Sequence, residues 1–113
     1  MICNNANTSD PAVAALWYTL YSGINRANIF LENIDAVPDM NDDTRKQYKA
    51  EARFLRAFYY FTLVECWGDV PFKTNSTEDA YNLAIPRTDK QTIYDFIIRE
   101  MYGSAEDLKS AQD

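Results

Sequence analysis

Ala50-Glu51-Ala52-Arg53-Phe54-Leu55-Arg56-Ala57-Phe58-Tyr59-Tyr60-Phe61, continuing through Leu63 and Val64 to Trp67-Gly68-Asp69-Val70-Pro71-Phe72, is the stretch on which the fold turns. Small and aromatic apolar residues go nearly all the way round a 3.6-residue period here, the pattern of a helix packed on more than one side. Asn41, Asp42 and Asp43 supply capping oxygens and acidic charge at the positive end of such a helix. Gly68 follows the last periodic residue, where a left-handed stop is cheapest, and Pro71 prevents a restart. The expected helix spans residues 43–67 and forms the core of the domain.

Upstream of this helix, Asp10-Pro11 reads as a side-chain cap followed by a proline whose missing N–H costs nothing in the first turn. Val13, Trp17, Leu20, Ile24, Ala27, Leu31 and Ile34 then recur at alternating spacings of four and three, one buried stripe of a long helix over 11–36. Pro38 ends it, because the residue before proline is pushed out of helical geometry. On the other side lies a polar connector over 68–88, long for a simple link. A third helix over 89–110 carries Ile93, Phe96, Ile97, Met101, Ala105 and Leu108. Gly103 interrupts it at a cost of up to ~1 kcal/mol, so a kink or break is expected there. No segment shows strand alternation, and the fold class is all-α.

With 113 residues the chain fits one domain at most. Its 2 Trp, 8 Tyr and 6 Phe are more than three helices hide easily, since each ring brings roughly 150–250 Å² of surface. Something beyond these helices is expected to cover part of that surface. A net charge of −6 with no basic run argues against nucleic acid or an anionic membrane surface as partner. Cys3 and Cys66 can pair, although Cys66 reads more readily as a small buried hydrophobe. Only Met1 and Ile2 precede Cys3, so neither an export signal nor a lipid-anchor site is read within 1–113. No apolar run approaches the roughly 20 residues of a membrane span.

Catalytic and metal chemistry finds little support. The chain has no histidine, which removes histidine-based triads and histidine zinc sites. Its three glycines, Gly23, Gly68 and Gly103, are too far apart for a phosphate-cradling loop. In the acidic loop, Asp39, Asn41 and Asp43 match the first three ligand positions of a calcium loop. The required glycine is Thr44, however, and the closing glutamate is Ala50, so the loop reads as helix capping. Asn7-Thr8-Ser9 and Asn75-Ser76-Thr77 fit the glycosylation acceptor pattern, one that arises often by chance. Glu51, Arg53 and Arg56 lie within the apolar central helix and are expected to form ion pairs joining neighbouring helices, because an unpaired buried charge is costly. Trp67 and Tyr81 are candidate stacking faces for a sugar ring, though such rings more often roof a core. No catalytic residue, metal site or cofactor is assigned.

The run from Ala50 to Phe61, followed by Trp67-Gly68-Asp69-Val70-Pro71-Phe72, resembles the SusD/RagB family, whose recurring pattern is a helix reading A-E-A-R-F-L-R-A, then aromatic residues, then G-D-V-P. Tyr21 to Ile34 is similar to the preceding helix of that family, and Ile85-Pro86-Arg87 with Tyr94 to Ile98 to the segment after it. The resemblance implies a tetratricopeptide-like scaffold of stacked antiparallel helices. It also implies a non-catalytic outer-membrane lipoprotein facing outward, which binds oligosaccharides or other nutrients and caps a TonB-dependent barrel. On that reading 1–113 is a fragment of the N-terminal helical domain, serving mainly as scaffold and partner surface. The family's ligand-binding residues vary with the nutrient and lie largely outside the matched motif, so none is assigned. A self-contained helical adaptor for a protein partner is the alternative. A carboxylate-only glycoside hydrolase is the remote third reading.

Overall fold

A computed structural model describes residues 10–76 and 85–112, the last four as backbone alone. The helices are α1 (Pro11–Asn33), α2 (Asp42–Trp67) and α3 (Lys90–Gln112), with a short 3-10 turn at Ile34–Ala36. The class is all-α, and the only sheet-like pairing among the described residues is an isolated antiparallel bridge between Val70 and Thr88. None of the described helices is long and apolar enough to cross a membrane.

Each helix begins where a short polar side chain can take up a free backbone N–H. Asp10 accepts from Ala12 N at 2.9 Å, with Pro11 entering the first turn. Asn41 accepts from Asp43 N at 2.7 Å, and Asp89 from Gln91 N at 3.1 Å. The acidic loop therefore does the work of a helix start. α2 ends at Gly68, whose φ of 76° suits a residue without a Cβ. α1 ends in a tighter 3-10 turn, and Arg45 from α2 donates to the carbonyls of Ile34 and Val37 around this corner.

α2 is the central element. α1 and α3 each pack on it and make no close backbone contact with each other. Both neighbours run antiparallel to α2: Arg56 meets Asn28 while Lys49 meets Asp35, and Glu65 meets Tyr94 while Lys46 meets Asp107. The core comprises Leu20, Tyr21 and Ile24 from α1, Ala57, Tyr60, Leu63 and Val64 from α2, Ile93, Phe96 and Ile97 from α3, and Val70 from the connector. Along α1, the four-and-three stripe is the buried face, with Leu20, Ile24, Ala27 and Ile34 all buried.

Several expectations need correction. α3 runs unbroken through Gly103. A methyl group at that position would come 2.7 Å from Arg53 Nη2, so the glycine leaves room for a guanidinium from α2. Ala105 is exposed, and the buried face of α3 carries the polar Glu100 and Ser104 in its place. Cys66 is buried, as a small hydrophobe would be, and is disulfide-bonded rather than a free thiol. Cys3, Asn7-Thr8-Ser9, Thr77 and Tyr81 lie outside the described residues.

Candidate functional site

The polar centre of the molecule lies where α1, α2 and α3 meet. Arg56 donates from Nη1 to Asn28 Oδ1 at 2.8 Å and from Nη2 to Glu100 Oε1 at 2.9 Å. Arg53, one turn earlier on α2, donates from Nε to Glu100 Oε1 at 3.2 Å and from Nη2 to Oε2 at 3.0 Å. One carboxylate thus holds two guanidiniums, and one of these reaches across to the first helix. Burial would raise the Glu100 pKa, but the hydrogen bonds and positive charge of Arg53, then of Arg56, outweigh it and hold the carboxyl below its usual range. The same pairing raises the pKa of Arg53.

Asn28 links this centre to the connector, its amide donating to the carbonyls of Lys73 and Asn75 at 3.4 and 3.3 Å. Two tyrosines hold the same segment. Tyr21 donates to Pro71 O at 2.5 Å, while the Tyr60 hydroxyl donates to Lys73 O at 2.8 Å and accepts from Lys73 N at 2.6 Å. Both phenols are buried, which pushes their pKa values well up. Glu32 accepts from the Ser76 backbone N–H at 2.9 Å. The chain leaving α2 is therefore tied down at Pro71, Lys73, Asn75 and Ser76 before it returns to pair Thr88 N with Val70 O at 2.9 Å.

Of the residues singled out from sequence, Arg53 and Arg56 are brought together, and the helix-joining ion pairs expected of them are present. Glu51 lies apart on the surface, accepting only a long 3.4 Å contact from Gln47 among the described interactions. Trp67 packs edge-on against Trp17, ring centroids 5.0 Å apart and planes at 78°, and so roofs the core. Arg87 lies over the Trp17 ring, 5.8 Å from its centroid, and donates to Asp69 O. Sequence reasoning missed Glu100, Asn28, Tyr21 and Tyr60. Asn28 left a signal in being polar one turn after Ile24 on a buried stripe. Glu100 left a similar one, lying one helical step beyond Phe96 and Ile97.

Among the described residues, α1, α3 and the connector pack on α2, and part of its apolar surface stays exposed. Phe54, Leu55, Phe58 and Phe61 remain 38%, 47%, 49% and 36% exposed. A groove of about 440 Å³ also runs between α1 and α2, lined by residues that include Gly23, Ala27, Phe30, Tyr48, Leu55 and Tyr59.

This arrangement of long helices around α2 has known counterparts. A SusD-like family model, described as starch-binding and associating with the outer membrane, matches residues 1–112. SusD-like protein P25 of Formosa agariphila is 32% identical over 90 residues, 80% of this chain and 17% of that protein. SusD-like protein P38 of the same organism is 34% identical over 109 residues, 96% of this chain and 21% of that protein. The solved structure of a laminarin-binding SusD-like protein superposes with a TM-score of 0.75 at 31% identity, covering 82% of this chain and 20% of the other. The chain belongs to the SusD-like family and shares its tetratricopeptide-like helical fold. It spans roughly a fifth of the length of the relatives it matches.

Proposed function

We propose that these residues form the N-terminal helical scaffold of a non-catalytic glycan-binding protein on the outer face of an outer membrane, where it caps a TonB-dependent barrel that imports the glycan. The observation that carries this reading is the family match over 1–112, together with the laminarin-binding relative whose helices superpose. The polar centre supports a scaffold role. Its two arginines, one carboxylate and one amide are turned inward on each other and on the connector, which leaves them committed to structure. The exposed aromatic face of α2 fits a piece that the rest of a longer protein covers.

Sequencing the DNA on both sides of this reading frame tests the proposal. It predicts an upstream signal ending in a lipid-anchor cysteine, a long downstream continuation and a neighbouring barrel gene. A start and stop enclosing only these residues, with no such neighbour, would overturn it and leave the helical adaptor as the reading to pursue.

A further inference from the structure

We draw no further inference here: the strongest candidate, the basic pocket near the start of α2 lined by Arg45, Lys46, Lys49 and Arg53, carries nothing because the chain itself already takes up these cations, Lys46 by Asp107, Lys49 by Asp35, Arg53 by Glu100 and Arg45 by the Ile34 and Val37 carbonyls, and nothing in the structure points to an outside ligand.

Discussion

Arg56 and Glu100 meet across the α2–α3 interface, Nη2 to Oε1 at 2.9 Å, with side chains only 10% and 12% exposed. Every helix depends on this pair, because the other nitrogen of Arg56 holds Asn28 on α1 and the other oxygen of Glu100 holds Arg53. Removing one partner leaves a nearly buried charge uncompensated, at a cost of about 3 kcal/mol or more. Glu100→Ala is expected to lower stability by that amount in urea unfolding. Replacing the whole group by apolar residues, as in Arg53→Leu/Arg56→Met/Glu100→Leu, is expected to recover most of the loss. If Glu100→Ala alone is nearly neutral, the centre does not hold the helices together.

Acid should act through the same carboxylate. Its folded pKa lies below the ordinary value of 4.5, so its contribution is complete above that value and is lost as pH falls through the folded pKa. The melting temperature is expected to be insensitive to this group from pH 7 down to about 5, and to fall below ~4.5. Glu100→Gln should flatten part of that acid limb. An identical acid limb in the variant would place the dependence elsewhere.

Gly103 permits a test in which two principles predict opposite signs. By helix propensity, Gly103→Ala gains up to ~1 kcal/mol. In the folded chain the new methyl meets Arg53 Nη2 at 2.7 Å and pushes it off Glu100. The substitution is therefore expected to stabilise an Arg53→Ala background and not the wild type. Equal gains in both backgrounds, measured by thermal unfolding, would show that the glycine does not serve Arg53.

These results mark where the sequence was legible. The three helices follow from caps, stops and period, because those signals act over a few neighbouring residues: Asp10 with Pro11, Asn41 ahead of Asp43, and Gly68 ahead of Pro71. That Arg53 and Arg56 must find partners was also legible, since burial of an unpaired charge is forbidding wherever it occurs. Which carboxylate they find was not, because Glu100 lies 44 residues from Arg56 and only the register of α2 against α3 brings them together. Gly103 was misread for the same reason. A propensity scale registers its own backbone cost and not the guanidinium that occupies the space beside it.

Tyr60 fastens the connector through one hydroxyl that both donates to and accepts from Lys73. Tyr60→Phe keeps the ring and its edge-on contact with Phe72, at 5.0 Å, but leaves both polar groups of Lys73 without that partner. The expected cost is about 1–2 kcal/mol, with faster amide exchange at Lys73 and unchanged exchange in the middle of α3. Uniform acceleration throughout would indicate global loosening rather than release of the connector.

Whether this chain is scaffold for a barrel-capping, glycan-binding protein is decided by tagging the native gene product and purifying it from outer membranes of its own host in mild detergent. A TonB-dependent β-barrel is expected to co-purify, and the protein to be retained on at least one polysaccharide of an affinity panel. A product recovered only from the soluble cytoplasmic fraction, with neither barrel nor glycan retention, would contradict that role.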